Sequence, residues 1–552
     1  MTPEQEKILS SPLPIIVLAG PGTGKTFVLT KRLEKHPASI FLTFSCSAAW
    51  EVRTRLKELP QPFLSGTFHS VAFRLLRSLF PLKILSPSSA YHLFSTIQFP
   101  PGFPQPSPEI FNTIEHSRLT FCLLPPPMQL MKEIYEKTLT EANLADFTHL
   151  LTLFLYLLRT RKEEIEELLK IYSTVFVDEG QDLDPIQIEI LKTLASFGMK
   201  FFLVTSPSQS IYAFRGAHPG GLIDFARSIQ AREIVLDTNF RSTPQIVSLA
   251  SSILPSSPET KQKTVKGDGE KVKIVFSSDE DKENVVILQI VHRLLQKFPK
   301  VAILARTRSR IRSIEQVLLH EKIPYSLLFD TSLFSTPEAS LLISLMKFPF
   351  DETDEAVDSI IRYFLPILPH ISPENGKYTL HSLALSFSSE EALELFNLLE
   401  SIQMTSPDED VCTFLSSIYQ TVVKFISRAY PLDFRQRLGN LRAFYNFVQT
   451  VPEKIQDFLL NLPFLQEEGI KNNLGPVVLG TIHSAKGLEW PAVVICGLTE
   501  GLLPLSNSDL DEERRLFYVG VTRAKDFLVL SVCGKPSRFI FELDQTVCEL
   551  YK

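Results

Sequence analysis

A glycine-rich segment ending in Lys-Thr constrains this chain more than any other feature of its sequence. Residues 19–26 read Ala-Gly-Pro-Gly-Thr-Gly-Lys-Thr, between a short apolar segment at Pro14–Gly20 and a helical one at Phe27–Leu33. A strand, a glycine turn and a helix in this order form a phosphate-binding loop, because glycines let successive backbone N–H groups surround phosphate oxygens at a helix N-terminus. We expect the phosphates to be held by Ala19, Gly20, Gly22, Thr23, Gly24, Lys25 and Thr26.

An acidic pair at the end of another apolar strand fits the same site. Asp178 and Glu179 directly follow the segment Ser173–Val177. In a protein with a phosphate-binding loop, Asp178 is placed to hold Mg²⁺ together with Thr26. Glu179 is placed to orient and deprotonate the attacking water. The two segments therefore predict hydrolysis of a nucleoside triphosphate, with Lys25 neutralising phosphate charge.

The composition is that of a large globular enzyme. The chain has 552 residues, 44% hydrophobic and 21% charged, with a net charge of −6, so a nucleic acid would need a local patch or groove. The 6 cysteines show no C-x-x-C spacing, and the apolar stretch Leu150–Leu158 is about half as long as a bilayer requires. The first residues lack the features of a signal peptide. We expect a reduced, cytoplasmic protein that is not bound to a membrane.

Strand and helix signals alternate in two parts of the chain, which predicts an α/β fold with parallel sheets. A first unit has strands at Pro14–Gly20, Ser39–Ser45, Ser173–Val177 and Lys200–Thr205. A second unit has strands at Lys271–Phe276, Lys300–Ala305, Val477–Gly480, Ala492–Cys496 and Phe527–Val532. Residues 98–108 and 125–127 are rich in proline and predict loops, residues 251–269 predict a linker or surface loop, and residues 346–475 are almost wholly helical.

Further segments decide what the hydrolysis drives. Together with the phosphate-binding loop they resemble, in the same order and over residues 5–524, the motifs of the UvrD/Rep/PcrA family of superfamily 1A DNA helicases. The matching segments are Gln5, Thr43–Ser45 with Ala48, Ala49 and Glu51, Gly66–Ser70, Val177–Asp182, Gln209–Ala217, Asn239–Ser242, Thr481–Trp490 and Arg514–Ala524. The last two are long and distinctive.

The resemblance implies a nucleotide site between two RecA-like P-loop domains. Gln5 is similar to the family's adenine-reading glutamine, Phe240 to its adenine-stacking residue, and Glu489, with Gly487 in the same motif, to its ribose contact. Arg241 and Arg523 resemble arginine fingers, and Gln209 resembles the sensor of the γ-phosphate. Phe27 stands where relatives often carry an arginine, which predicts looser nucleotide selectivity.

The resemblance also implies a path for single-stranded DNA across both domains. The expected contacts are Phe68, His69, Tyr212, Phe214, Arg215 and His483, the aromatic rings stacking on bases. For a single phenylalanine, packing in the core is at least as common a role in a chain with 41 Phe. Arg306, Arg308, Arg310 and Arg312 fit either a phosphate track or a solvated rim, with Arg306 in a family motif.

The predicted architecture is two RecA-like α/β domains, each interrupted by a mainly helical insertion. We assign residues 1–71 and 166–240 to the first domain, 72–165 to its insertion, 241–345 and 476–552 to the second domain, and 346–475 to a short second insertion. The expected activity is that of an ATP- and Mg²⁺-dependent 3′→5′ DNA helicase in repair or replication. Its expected partners are single-stranded DNA, junctions with duplex and DNA-repair proteins, and its expected state is a monomer or weak dimer. A translocase that barely unwinds DNA and a non-catalytic DNA-binding scaffold are the alternatives.

Overall fold

The computed structural model describes the chain except residues 57–61, 86, 214–215, 219, 255, 329–331, 351–353, 369–370, 375, 387–388, 452, 469–474 and 552. The strands are β1 (Ile15–Ala19), β2 (Ser39–Thr43), β3 (Phe63–Thr67), β4 (Lys83–Ile84), β5 (Leu144–Ala145), β6 (Thr174–Val177), β7 (Lys200–Thr205), β8 (Arg232–Leu236), β9 (Thr238–Asn239), β10 (Lys263–Thr264), β11 (Val272–Ser277), β12 (Val301–Ala305), β13 (Tyr325–Leu327), β14 (Val477–Thr481), β15 (Trp490–Ile495), β16 (Ala524–Cys533) and β17 (Cys548–Leu550).

Helices connect most of these strands. They are α1 (Pro3–Ser10), α2 (Lys25–Leu33), α3 (Cys46–Arg55), α4 (Phe68–Arg77), α5 (Pro87–Thr96), α6 (Pro108–Thr120), α7 (Pro126–Glu141), α8 (Phe147–Thr160), α9 (Lys162–Leu169), α10 (Pro185–Ser196), α11 (Gly221–Ser228), α12 (Pro244–Ile253), α13 (Glu280–Leu295), α14 (Arg308–His320), α15 (Ser332–Ser335), α16 (Pro337–Lys347), α17 (Glu355–Phe364), α18 (Leu380–Ala384), α19 (Glu390–Gln403), α20 (Val411–Ala429), α21 (Phe434–Val448), α22 (Ile455–Glu468), α23 (Leu510–Val521) and α24 (Arg538–Phe541). In the described part of the chain, no helix has the length and apolarity needed to cross a membrane.

The first sheet brings the predicted phosphate site together. Its strand order is β3-β2-β6-β7-β1-β8, and every neighbouring pair is parallel. Strands β1 and β6 are buried along their whole length, as expected for strands covered on both faces. Because all carboxyl ends lie at one edge, the glycine loop after β1, the acidic pair after β6 and the segment Ser206–Gln209 after β7 meet there.

The second sheet is also parallel, with the strand order β13-β14-β12-β15-β16-β11-β17. Its two faces are covered by apolar residues from the strands and from α12, α13, α14 and α23. With the first sheet it forms a compact unit of residues 1–329 and 471–552. The predicted α/β class with two RecA-like parallel sheets is confirmed.

Helices α5, α6 and α7 surround a small core of their own. Phe94, Phe111, Met131 and Tyr135 are buried in this core. The loop predicted at residues 125–127 is wrong in part, because Pro126 begins α7. Proline is accepted in a first helical turn, where its missing N–H would have no helical partner.

Residues 330–470 form a second compact unit. Helices α15–α22 lie in it, and the predicted helical character of this region is confirmed in its described residues. Inside the unit, the buried carboxylate of Glu338 accepts hydrogen bonds from Tyr363 Oη (2.8 Å), Arg437 Nη1 (2.8 Å) and Asn440 Nδ2 (2.9 Å). Such a satisfied buried carboxylate fixes the packing of the helices that carry its donors.

The segment 251–269 is not the linker or free surface loop that its composition predicts. Strand β10 pairs with β9, and the buried carboxylate of Glu259 accepts a hydrogen bond from the backbone N–H of Ser208 at 2.9 Å. A Cβ on Gly20 would lie 2.4 Å from the carbonyl oxygen of Glu259. The segment therefore packs against Gly20 of the glycine loop and against Ser208. This role depends on tertiary contacts, which composition does not indicate.

Candidate functional site

The glycine loop has the backbone that its sequence predicts. Gly22 and Gly24 have φ values of +74° and +83°, in the left-handed region that favours glycine. The hydroxyl of Thr23 donates to the carbonyl oxygen of Gly20 at 2.9 Å and closes the turn. A Cβ on Gly22 would lie 2.6 Å from Cβ of Arg241. Gly22 is thus required both for the turn and for the close approach of Arg241.

The acidic pair faces the lysine of the loop. Lys25 Nζ lies 3.8 Å from Oε1 of Glu179. Burial raises the pKa of Asp178, and the neighbouring Glu179 raises it further. Burial also acts to raise the pKa of Glu179, but Lys25, Lys486 and the Gln181 amide outweigh it and lower that pKa. Glu179 is therefore held as the anion, while Asp178 is a buried carboxyl that a nearby cation would stabilise in its charged form.

This arrangement fits a magnesium ion that is bound largely by its substrate. In the described residues, no group of three or more His, Cys, Asp or Glu side chains could hold a metal ion. Mg²⁺ needs no such cage when one or two protein ligands share it with phosphates and water. Asp178 and Thr26, the first a buried carboxyl and the second beside Lys25 at the start of α2, are the residues that can supply those ligands.

Arg523 reaches from the second sheet to the predicted sensor on the first. Its Nη2 donates to Oε1 of Gln209 at 3.1 Å and its Nη1 to the carbonyl oxygen of Leu488 at 3.1 Å. Its Nε donates to the carbonyl oxygen of Val519 at 2.9 Å. These acceptors are neutral oxygens, so they orient the guanidinium without cancelling its charge. Burial, and then the charge of Arg241, lower the pKa of Arg523, as expected of a cation prepared for an anion.

Arg241, unlike Arg523, is paired with a carboxylate. Its Nε donates to Oε2 of Glu489 at 2.5 Å, and Lys525 Nζ lies 2.6 Å from Oε1 of the same carboxylate. Burial acts to raise the pKa of Glu489, but the two cations outweigh it and lower that pKa. A phosphate that engages Arg241 must therefore compete with Glu489.

Asn239 links Arg241 to the glycine loop. Its Oδ1 accepts from the backbone N–H of Arg241 at 2.8 Å, and its Nδ2 donates to the carbonyl oxygen of Pro21 at 3.0 Å. The next residue, Phe240, donates its backbone N–H to the carbonyl oxygen of Gly22 at 2.8 Å, and the residue is 44% exposed. Asn239 and Phe240 thus connect the backbone next to Arg241 to the glycine loop.

The remaining predicted nucleotide contacts are Gln5, Glu489 and Gly487. Gln5 is buried, and its Nε2 lies 3.1 Å from the position that a Cβ on Gly24 would occupy. Glu489 lies in the ion cluster with Arg241 and Lys525. Gly487 is exposed and has a φ of +82° in the turn before Glu489.

Lys486 connects the nucleotide side of the site to the aromatic side. Its Nζ lies 2.5 Å from Oδ2 of Asp182 and donates to the carbonyl oxygen of Gln209 at 2.7 Å. The same ammonium lies 5.0 Å from the centre of the Tyr212 ring, within the range of a cation–π contact. Lys486 follows β14 of the second sheet, whereas its partners follow β6 and β7 of the first. It therefore joins the two sheets at the position where the sensor meets the aromatic residues.

An aromatic surface lies next to Lys486. The rings of Tyr212 and Phe44 are stacked with their centroids 4.9 Å apart, and His483 lies 6.4 Å from Tyr212 on the other sheet. Tyr212 and His483 are partly exposed. Phe44 was not among the predicted contacts, although it lies in one of the quoted motifs. The predicted contacts Phe214 and Arg215 lie outside the described residues.

Phe68 corrects the prediction of a base contact. Its side chain is 4% exposed and lines a small apolar cavity with Ile40, Val71 and Phe154. It cannot stack on a base without leaving this core. The neighbouring His69 packs edge-on against Phe147 at 5.9 Å, and burial lowers its pKa to about 4. His69 is thus a neutral ring at neutral pH, so it carries no charge for a phosphate.

The predicted arginine track is also corrected at two positions. Arg310 is buried, and its Nη2 lies 2.7 Å from Oε2 of the fully buried Glu283. Arg306 forms a two-pronged contact with Glu513, with Nη2 2.7 Å from Oε1. Both guanidinium groups are paired with carboxylates of elements around the second sheet, which neutralise their charge. Arg308 and Arg312 are exposed.

The predicted site residues omit several side chains that connect one part of the site to another. Gln181 donates from Nε2 to Oε2 of Glu179 at 2.5 Å, and its Oε1 accepts from the backbone N–H of Ser206 at 2.8 Å. Gln181, Asn239 and Lys486 all lie inside motifs that the sequence displays, so the signal was present. Glu259 lies in the segment interpreted as a linker, and nothing local marks it.

Sequence comparisons find similar proteins along nearly the whole chain. The family model described as UvrD/REP helicase N-terminal domain matches residues 1–94 and 125–230, and the one described as UvrD-like helicase C-terminal domain matches residues 234–414 and 412–535. The chain is 26% identical to the ATP-dependent DNA helicase Rep of Buchnera aphidicola, with 96% of both chains covered. It is 25% identical to the ATP-dependent DNA helicase PcrA of Staphylococcus epidermidis, over 99% of this chain and 86% of the other. It is 26% identical to the ATP-dependent DNA helicase srs2 of Schizosaccharomyces pombe, over 93% and 69%.

Proposed function

The chain belongs to the UvrD/REP helicase family, and we propose on this basis that it is an ATP-dependent DNA helicase that moves 3′→5′ along single-stranded DNA. The relatives that it matches over nearly their whole length carry the name of ATP-dependent DNA helicases. The proposed substrates are ATP and single-stranded DNA, including junctions with duplex in repair or replication. The division at residues 1–71, 72–165, 166–240, 241–345, 346–475 and 476–552 is part of this proposal.

The observation that carries the proposal is the hydrogen bond from Arg523 to Gln209, which joins the two RecA-like sheets at the nucleotide site. Arg523 is buried and bonded to neutral oxygens, so its charge is free to stabilise the phosphate charge that develops during hydrolysis. Because Gln209 lies on the first sheet and Arg523 on the second, loss of the γ-phosphate changes how firmly the two sheets are held together. A motor needs this kind of dependence.

Each residue near the glycine loop has a distinct role in this proposal. Lys25 and the backbone N–H groups of the loop bind the phosphates. Thr26 and Asp178 hold Mg²⁺, which supplies charge neutralisation of the phosphates when bound. Glu179, kept anionic by Lys25 and oriented by Gln181, accepts the proton of the attacking water. Arg241 serves as the second finger after it exchanges Glu489 for phosphate.

The aromatic side of the site binds the bases. Tyr212 and Phe44 form a stacked pair beside His483, and stacking on aromatic rings tolerates any base. Lys486 contacts both the Gln209 backbone and the Tyr212 ring. Lys486 therefore links the proposed sensor of the γ-phosphate, Gln209, to the proposed base-binding residue Tyr212.

Strand separation tests the proposal and its polarity. We expect ATP-dependent unwinding of a duplex with a 3′ single-stranded tail and little unwinding of the same duplex with a 5′ tail. Lys25→Ala is the blank, because it removes the phosphate-binding ammonium. Unwinding from the 5′ tail alone would contradict the proposed polarity.

A second experiment separates helicase from translocase. A protein moving 3′→5′ removes streptavidin from a biotin at the 5′ end of a single strand, whether or not it separates duplex. Streptavidin release without unwinding would favour the translocase alternative. Neither activity in the presence of tight ATP and DNA binding would favour the scaffold.

A further inference from the structure

The chain returns to the first sheet after it has entered the second. Helix α12 packs in the core of the second sheet, and β11 is a strand of that sheet. Between them lies a short return segment of residues 258–264. A Cβ on Gly20, directly after β1, would overlap the carbonyl oxygen of Glu259 and the amide of Gln262, and β10 at the end of the segment pairs with β9. The return segment is therefore packed against the glycine loop.

Glu259 of the return segment reaches the turn that carries the predicted sensor of the γ-phosphate. This turn follows β7, and the backbone N–H of Gln209 donates to the carbonyl oxygen of Ser206 at 2.8 Å within it. The backbone N–H of the buried Ser208 donates to Oε1 of Glu259 at 2.9 Å. Because a buried N–H needs an acceptor, Glu259 completes the hydrogen bonding of the turn from outside it.

The side chain of Gln209 depends on this turn for its orientation. Its Nε2 donates to Oγ of Ser206 at 2.6 Å, and its Oε1 accepts from Nη2 of Arg523 at 3.1 Å. One end of the amide is thus held by a residue of the same turn. A rotation of the turn would move the amide away from Arg523, and a displacement of about 1 Å is enough to impair such a contact.

Glu259 is itself held in place. It is 2% exposed, and its carbonyl oxygen accepts from Nε2 of Gln262 at 3.2 Å. Oε1 of Gln262 accepts in turn from Nδ2 of Asn239 at 2.6 Å. Burial raises the pKa of Tyr518 on α23, and the nearby charge of Glu259 acts in the same direction. The carboxylate is therefore enclosed by protein and stays directed to Ser208.

From these contacts we propose that Glu259 is a positioning residue for recognition of the γ-phosphate: through the N–H of Ser208 it holds Gln209 where that side chain meets this phosphate. The proposal rests on the proposed function for the role of Gln209. ATP carries the phosphate that Gln209 detects, and ADP does not. Loss of the hydrogen bond should therefore weaken the binding of a nucleotide with a γ-phosphate and leave the binding of ADP almost unchanged.

Three substitutions separate the hydrogen bond from the charge. Glu259→Gln keeps an oxygen acceptor at the same reach and removes the charge. Glu259→Asp keeps the charge on a side chain that is one methylene shorter, which withdraws the acceptor from the Ser208 N–H. Glu259→Met keeps the length and removes the acceptor. The hydrogen bond is kept in the first variant and lost in the other two.

Competition binding measures recognition of the γ-phosphate independently of hydrolysis. A fluorescent ADP labelled on the ribose is displaced from the full-length protein by ADP or by the non-hydrolysable β,γ-imido analogue of ATP, with Mg²⁺ and single-stranded oligonucleotide present. We expect Glu259→Asp and Glu259→Met to bind the analogue about tenfold more weakly and ADP within about twofold of wild type, because a buried N–H loses its acceptor. Glu259→Gln should stay within about threefold for both. Retained ADP binding shows that the nucleotide site of each variant is folded.

Glu453→Met is the matched control. Glu453 is 4% exposed, lies in the second compact unit and accepts from Nδ2 of Asn461 at 2.8 Å. Its substitution also removes a buried acceptor of a neutral donor, and it should leave both affinities at the wild-type value. The kcat with single-stranded DNA should be at least about tenfold lower in Glu259→Asp and Glu259→Met, and within about threefold of wild type in Glu259→Gln and Glu453→Met.

Four results would overturn the inference. They are equal weakening of ADP and the analogue, wild-type affinities in Glu259→Asp and Glu259→Met, a loss in Glu259→Gln as large as that in Glu259→Met, and the same loss in Glu453→Met. Failure of the proposed function gives a different pattern, since a protein with the expected nucleotide affinities but no DNA-stimulated hydrolysis keeps this inference and loses the helicase proposal.

Discussion

Replacing Lys486 with methionine tests how the nucleotide side of the site is joined to the aromatic side. Methionine has a similar length and no charge, so the change removes the contacts with Asp182 and the Gln209 carbonyl and keeps much of the side-chain volume. The ammonium is almost buried, and the carboxylate of Asp182 is fully so. The variant therefore leaves an acid and a carbonyl in the interior without their donor.

The size of the effect follows from the state of Asp182. Removing one member of a buried ion pair costs about 3–5 kcal/mol. Burial raises the pKa of Asp182 to about 6 even with Lys486 present to lower it, so without the ammonium this carboxyl takes up a proton near neutral pH and avoids part of the cost. Its folded pKa then lies above its unfolded value of about 3.9, so the loss of stability grows as the pH rises through the folded pKa. We expect about 3 kcal/mol at pH 8 and less at pH 6.

Steady-state ATP hydrolysis with saturating single-stranded DNA measures the consequence. If the lost free energy falls on the arrangement in which Lys486 joins the two sheets, the stimulated kcat decreases about 100-fold at pH 8. The affinity for ATP should change by less than about threefold, because Lys486 contacts Asp182, the Gln209 carbonyl and the Tyr212 ring, which lie after β6 and β7 and are not the expected phosphate ligands. Lys192→Met is the matched control, since Lys192 is half exposed and pairs with Glu189 on α10. Wild-type stimulation in Lys486→Met, or an equal loss in Lys192→Met, would refute the reasoning.

Three further predictions test individual assignments. Phe68→Leu should lower the melting temperature and keep the affinity for single-stranded DNA within about twofold, whereas Tyr212→Ala should weaken that affinity about tenfold; the opposite pattern would restore Phe68 as a base contact. Burial lowers the pKa of His149 to about 4, so the wild-type free energy of unfolding should fall by up to about 3 kcal/mol between pH 6.5 and pH 4, and melting curves of His149→Gln should lack this part of the fall. Arg310→Met should destabilise the protein by about 3–5 kcal/mol, because Glu283 stays buried, and should keep the salt dependence of DNA binding; a lower salt slope would indicate a phosphate contact instead.

The glycine loop and the acidic pair could be predicted from the sequence, because each is marked by residues that are adjacent in the chain. The glycine loop needs an apolar strand before it and a helix after it, and both signals are contiguous with residues 19–26. Asp178 and Glu179 follow a buried strand, and parallel packing brings them to the loop. The family was confirmed for a related reason, since its motifs keep residue types and order over nearly the whole chain.

For Phe68, the helical periodicity of the sequence and the family resemblance lead to different predictions. Phe68, Val71, Ala72 and Leu75 follow the spacing of one helix face, which predicts that the phenylalanine lies in the core. The motif suggested a base contact at the same position, and the structure favours the periodicity. Tyr212 has no such apolar series around it.

Contacts between separate elements of the fold could not be predicted in this way. Lys486 and Asp182 are 304 positions apart, and Arg310 and Glu283 belong to different helices. Whether an arginine contacts DNA or a buried carboxylate depends on which residues the fold brings next to it. Composition was equally uninformative at Glu259, whose carboxylate supports Ser208 from a segment rich in serine, proline and lysine.

ATP hydrolysis with and without single-stranded oligonucleotide, with Lys25→Ala as the blank, tests the central claim most directly. The claim is that hydrolysis at the glycine loop and DNA binding at the aromatic surface are coupled through Gln209, Arg523 and Lys486. It predicts that single-stranded DNA stimulates hydrolysis at least about tenfold and that the blank shows no stimulated rate. A wild-type rate that is the same with and without DNA, while DNA is bound, would contradict it.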